Sequence, residues 1–160
     1  MLPSSELLLY VLLLSMVPTF EGRYALLVGV AGGLDPLASL ASATLGTVIL
    51  AAVLPLALPL IDRLATWLGD SATVPLKKLS VLYLKYVRRA RLKAGPYVDR
   101  YGFMGLTIFV AIPLPLTGIW TAALVAYVLG MKRKFTFFAL LAGGVAANLI
   151  TLVPLVALFK

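Results

Sequence analysis

The chain contains no cysteine and no histidine. It therefore has no disulfide, no thiolate nucleophile and no imidazole base, and little that could hold a transition metal. Acids are scarce too: 6 Asp and Glu stand against 14 Lys and Arg, for a formal net charge of +8. A Mg²⁺-dependent enzyme acting on lipids would want clustered carboxylates. Glu21, set among apolar residues, has no acidic neighbour at depth. No enzymatic activity, metal or cofactor is expected. Residues 1–6 carry no basic residue and no small-x-small site follows 7–17, so the start is not expected to be a cleaved signal peptide.

What the chain has in abundance is apolar sequence. Of 160 residues 62% are hydrophobic, and the mean hydropathy is +1.05. Soluble domains sit near half apolar, so an all-α, multi-pass membrane protein is expected. A basic excess can signal nucleic acid, but here most of it falls in two short stretches beside apolar runs. That placement fits cytoplasmic loops facing anionic lipid, and no nucleic-acid partner is expected.

The apolar runs are 7–20, 24–34, 36–61, 103–116, 118–131 and 135–159. Crossing about 30 Å of hydrocarbon takes about 20 helical residues. Runs 36–61 and 135–159 reach about 38 Å and can cross with tilt. The other four reach only about 16–21 Å, half-way through a bilayer.

The break in 103–131 is the most informative stretch. Ile112-Pro113-Leu114-Pro115-Leu116-Thr117-Gly118-Ile119-Trp120 places two prolines two apart, each removing a backbone donor and biasing its predecessor away from helix. Broken backbone inside a bilayer survives only where protein or a water-filled cavity covers it.

Charge then selects a topology. Basic residues crowd 62–100, and 132–134 is Lys-Arg-Lys. The positive-inside rule puts both on the cytoplasmic side. Residues 101–131 must then enter and return on that side, bent at 113–118. Residues 1–34 form a second hairpin from the opposite face, bent at 18–22. Reading every limb as a short full span is the alternative.

The two halves look related. Val17-Pro18 before Gly22 resembles Ile112-Pro113 before Gly118, and Gly33 to Gly46 repeats the spacing of Gly130 to Gly143. With the topology, they become inverted repeats, an arrangement of many secondary transporters. The expected organisation is one membrane domain: a first repeat 1–61, a connector 62–102 and a second repeat 103–160. Ala38, Ser42 and Gly46, and Ala139, Gly143 and Ala147, are spaced for close helix packing. So little material makes a homodimer plausible, with packing inside one chain the simpler option.

In the connector, Gly69-Asp70-Ser71 reads as a turn. Beyond Pro75, Leu79, Tyr83, Tyr86, Val87 and Ala90 recur at helical spacing, with Lys78, Lys85, Arg88, Arg89 and Arg91 largely on the other side. This reads as a helix on the inner membrane surface binding lipid, or simply as a topology anchor.

Glu21 and Arg23 stand at the first bend. Charges at membrane depth usually mark ion or substrate paths. Two apart on a regular helix they would not face each other, but in a bent tip they could converge. Burial disfavours a charged carboxylate and a nearby guanidinium favours it, so such a group can take up and release protons. A permanent structural ion pair is the other reading. Pro18, Pro113, Pro115, Thr117, Gly118 and Trp120 complete the candidate site. Thr117 is expected to satisfy freed backbone, and Trp120 to gate, stack or pack. Asn148 reads as interhelical glue.

Pro18-Thr-Phe-Glu21-Gly-Arg23 and Ile112-Pro-Leu-Pro-Leu-Thr-Gly-Ile-Trp120, with the lead-in Tyr101-Gly102-Phe-Met-Gly105, resemble the two signatures of the small multidrug export proteins. That group is similar to the wider DedA (SNARE-associated, VTT) superfamily. This chain has Leu116, and Ala122 or Ala123, where the family pattern has Gly. It also lacks the paired arginines of the DedA motif, with Ala111 and Ile119 nearby. The resemblance implies two facing re-entrant hairpins, with Glu21 and Arg23 as the charged pair of a transport-like site. The expectation is a small, proton-coupled transporter of the cytoplasmic membrane moving a small molecule or a lipid or lipid-phosphate. A scaffold or scramblase-like lipid module, or a four-span drug exporter, is the alternative.

Overall fold

A computed structural model describes residues 3–70, 100–112 and 117–158, with Val81, Leu82, Lys85, Arg88, Arg89 and Leu92 between them. Among these residues all regular structure is helical. The helices are α1 (Ser4–Ser15), α2 (Glu21–Ala31), α3 (Pro36–Asp70), α4 (Arg100–Ala111), α5 (Ile119–Val128) and α6 (Arg133–Leu158). The described positions between 81 and 92 are helical as well.

Two helices are long and apolar enough to cross a membrane, over Pro36–Leu64 and Arg133–Ala157. The others have 10 to 12 described residues. At about 1.5 Å per residue these described stretches are about 15–18 Å long, half the thickness of a hydrocarbon core.

Local chemistry sets the helix ends. The Asp35 side chain accepts from the amides of Leu37 (2.9 Å) and Ala38 (3.1 Å), and Pro36 fills the first position of α3, where its missing N–H costs nothing. α2 closes with Gly33 at φ +94°: Leu34 N–H donates to the Gly29 carbonyl and Gly33 N–H to that of Val30. α5 closes identically at Gly130, φ +69°, with Met131 donating to Ala126 and Gly130 to Tyr127. Both are left-handed glycine caps that satisfy terminal carbonyls before the long helix begins.

One boundary differs from the sequence reading. α3 does not stop at 61 but continues through Gly69 to Asp70. Pro55 and Pro59 each delete one helical bond without ending the helix. No glycine or proline follows until Gly69, so nothing stops the helix at the Asp62-Arg63 charges. Ser71 lies outside the described residues.

Glycine contacts give the packing directions. Val11 lies against Gly29 and Leu7 against Gly32, so α1 and α2 run antiparallel. Ser42 donates to the Leu8 carbonyl at 2.7 Å and Gly46 sits against Ser15, so α1 runs parallel to α3. Asn148 bonds Thr44 and Thr47 while Pro55 and Pro59 lie near Thr136, so α3 and α6 are antiparallel. Gly143, at the place in α6 that Gly46 holds in α3, packs on Thr107 and Val110 of α4. The small-residue stripes thus bring α1 onto α3 and α4 onto α6. One apolar cluster, around Leu7, Val11 and Leu26, lies among α1–α3 and takes in Leu155 of α6, and the other, around Leu106, Ala122 and Leu140, lies among α3–α6.

Candidate functional site

The turn at 16–20 is built on left-handed backbone. Thr19 has φ +84° and Glu21, opening α2, has φ +53°. Non-glycine residues rarely adopt such angles, at a cost of about 1–3 kcal/mol each, and they cluster at working sites. The angle at Glu21 breaks the i, i+2 separation. Arg23 Nη2 donates to Glu21 Oε2 at 3.1 Å, and both residues are more than nine-tenths buried. The pair converges because the first residue is not helical in its angles.

Arg23 also reaches into the other half of the chain. Its Nη1 donates to the Ile112 carbonyl at 3.2 Å, just past the end of α4. Thr117 Oγ1 donates to the same carbonyl at 2.7 Å. Among the described residues α4 ends at Ala111 and α5 begins at Ile119, with this carbonyl just past the end of α4. Two side chains satisfy it, as burial of an irregular backbone requires.

Gly118 caps α5 with extended angles. Its Cα rests directly on the Glu21 carboxylate, in the space a Cβ would need. Glu21 is the first residue of α2 and Gly118 the N-cap of α5, and both helices end in a left-handed glycine cap. The acid at the head of one helix thus sits on the glycine at the head of the other. Trp120 Nε1 donates to the Met16 carbonyl at 3.2 Å, so the indole latches α5 to the first turn.

Around this junction the long helices turn polar. Asn148 Nδ2 donates to Thr47 Oγ1 at 3.2 Å and to Thr44 Oγ1 at 3.4 Å, and its amide packs on Gly22. Gly144 lets Ile119 and Thr47 close in. Thr47 lies about 16 Å along α3 from Pro36, and Asn148 about 15 Å from the end of α6. Glu21, Arg23, Thr47 and Asn148 share a cavity of about 10 Å³. A second, half-open cavity of about 220 Å³ lies nearer the charged ends of α3 and α6, among Pro55, Pro59, Tyr127, Arg133 and Thr136. Beside it Tyr127 Oη donates to Asp62 at 3.2 Å.

The structure therefore brings Glu21, Arg23, Thr117, Gly118 and Trp120 together. Pro18 is exposed in the 16–20 turn. Pro113 and Pro115 lie outside the described residues, as do Lys78 and Arg91. Lys85, Arg88 and Arg89 are exposed helical positions. Sequence reasoning gave Gly22 and Thr47 no part in the site and Asn148 only a packing part. A signal was present: Asn148 is the one carboxamide in the chain, and it falls inside an apolar span.

Among the described residues, two apolar spans, short apolar helices beside them and a buried charge pair between the first and second parts of the chain define an all-helical membrane protein. The family model described as Putative small multi-drug export protein matches residues 21–150, and the chain belongs to that family. The match opens on Glu21 and takes in both the 112–120 motif and Asn148. Comparison with curated proteins and with solved structures finds no match.

Proposed function

We propose that this chain is a proton-coupled transporter of the cytoplasmic membrane, and that Glu21 takes up and releases the coupling proton. The carrying observation is the Glu21–Arg23 pair, buried against Gly118 about half-way along both spans. Unpaired charge is costly at such depth. The ion pair, the Ile112 carbonyl and the polar face of α3 and α6 offset that cost. The family's name points the same way, to export across a membrane.

On this reading α1–α2 and α4–α5 are re-entrant hairpins entering from opposite faces, and the halves are inverted repeats. The helix lengths, the matching caps at Gly33 and Gly130 and the antiparallel α3 and α6 support it. The end bearing Asp62, Arg63 and 132–134 is cytoplasmic, by the positive-inside rule. The exposed Lys85, Arg88 and Arg89, beside exposed Val81, Leu82 and Leu92, support a surface helix on anionic lipid. The cargo is a small molecule or a lipid or lipid-phosphate, and the absence of the paired DedA arginines weighs against the last. Two copies pair to complete the translocation path.

The test is proton flux in proteoliposomes, read with a trapped pH dye under an imposed gradient. Glu21→Gln should abolish it. Flux in Glu21→Gln equal to the unmodified protein leaves the pair a structural feature and favours the scaffold reading.

A further inference from the structure

The small cavity beside Glu21 has a chemistry of its own. Thr47 Oγ1 donates to the Ala43 carbonyl at 3.1 Å, so toward Asn148 it must accept. That orients the Asn148 amide with Nδ2 on Thr47 and Thr44, and leaves Oδ1 the other way. Asn148 is 2% exposed as a residue and no described residue donates to Oδ1, but the atom keeps some accessible surface and is not a sealed, orphaned acceptor. A carbonyl oxygen left open in this way can accept from something small that enters beside it.

The cavity that Asn148 shares with Glu21 has a volume of about 10 Å³. That is about one water, and it admits no organic group. Among the described lining residues the only charges are Glu21 and Arg23, both from α2. α3 and α6 contribute only the hydroxyl of Thr47 and the Asn148 amide, and α4 and α5 only apolar side chains. A metal cation there would face the Arg23 guanidinium, an electrostatic cost a neutral water does not carry.

We infer that this cavity binds a single water that bridges Asn148 Oδ1 and the Glu21 carboxylate, and that Asn148 is the positioning residue for proton transfer at Glu21. The inference rests on the proton-coupling role of Glu21. The water donates one O–H to Asn148 Oδ1 and the other to the carboxylate. When Glu21 is protonated, its O–H donates to that water. In release the Glu21 O–H breaks as one forms on the water oxygen, and the water passes one of its own protons on to solvent water, uptake being the reverse. The cargo does not pass between Glu21 and Asn148. It uses other space, and the species handled at this level is the proton.

The test pairs infrared difference spectroscopy in H₂¹⁸O with the proton-flux assay. The unmodified protein should show an ¹⁸O-shifted O–H band that changes with pH. Asn148→Leu, similar in volume but without the acceptor, should lose the band and slow flux about tenfold or more, the scale of a lost proton-transfer partner. Ala147→Val fills the cavity without touching the amide and should do the same, carrying the test even where Asn148→Leu fails to insert. Thr151→Val removes a hydroxyl that bonds only the backbone of its own helix, outside the cavity, and should keep both band and flux. A band surviving in Ala147→Val overturns the inference, as does equal loss of flux in Thr151→Val and Asn148→Leu, which would reduce Asn148 to helix packing. These outcomes are separate from Glu21→Gln: flux lost there but kept in Asn148→Leu leaves the transporter reading standing and removes only the water.

Discussion

Gly118→Ala is the sharpest single perturbation of the junction. The backbone at Gly118 has φ −85°, which alanine adopts freely, so no conformational penalty is involved. The effect is steric alone. The new methyl occupies the space of the Glu21 carboxylate, which must move. That carboxylate is held at 3.1 Å by Arg23, itself tied to the Ile112 carbonyl at 3.2 Å. Overpacking of this kind costs about 1–3 kcal/mol. Forcing the carboxylate off the guanidinium would approach the about 3–5 kcal/mol of a broken buried pair. The assay is a double-mutant cycle, reading unfolding free energy in mixed micelles for Gly118→Ala, Glu21→Ala and both together. In the Glu21→Ala background the methyl has room, and Gly118→Ala should change stability by less than about 0.5 kcal/mol. The coupling should therefore be about 1–3 kcal/mol. Equal destabilisation by Gly118→Ala in both backgrounds would refute the contact, and with it the meeting of the two halves at Glu21.

Other outcomes follow from the same geometry. Arg23→Met should destabilise by about 3–5 kcal/mol, because Glu21 is left buried without its partner, and Glu21→Gln added to it should recover part of that loss in the same unfolding assay. Asp35→Ala removes the cap of α3 and should cost about 1 kcal/mol, with Asp35→Asn recovering most of it. Gly33→Ala and Gly130→Ala force alanine into left-handed backbone, so each should cost about 1–2 kcal/mol, by similar amounts because the caps are alike. Thr117→Val removes one of two donors at the Ile112 carbonyl and should cost about 1 kcal/mol, measured by thermal unfolding in detergent.

Much of the architecture could be read from residue order. Hydropathy and length separated the two long helices from the short ones, because each depends on local composition. The interruption between Ala111 and Ile119 follows from proline chemistry. The small-residue stripes on α3 and α6 announced close approach, and Gly46 and Gly143 make it. The end of α3 was misplaced because charges at Asp62 and Arg63 mark a change of environment and not a change of backbone. At the site, the bend explained how Glu21 and Arg23 could meet. That Arg23 would reach the Ile112 carbonyl, and that Gly118 would lie under Glu21, depends on contacts across some ninety residues of chain, which no local pattern encodes. The orientation of Asn148 was hidden for the same reason, being fixed by Thr44 and Thr47 on another helix.

The central claim is that the first bend lies at the level of the membrane centre, and depth can be measured directly. Phe20 is exposed at that bend, and the chain has no native cysteine to interfere. A nitroxide placed through Phe20→Cys, in lipid bilayers, should relax strongly with dissolved oxygen and weakly with a water-soluble nickel chelate, as a label near the hydrocarbon midplane does. The opposite balance, with the label at head-group depth, would mean that α1 and α2 cross the bilayer and would contradict the account.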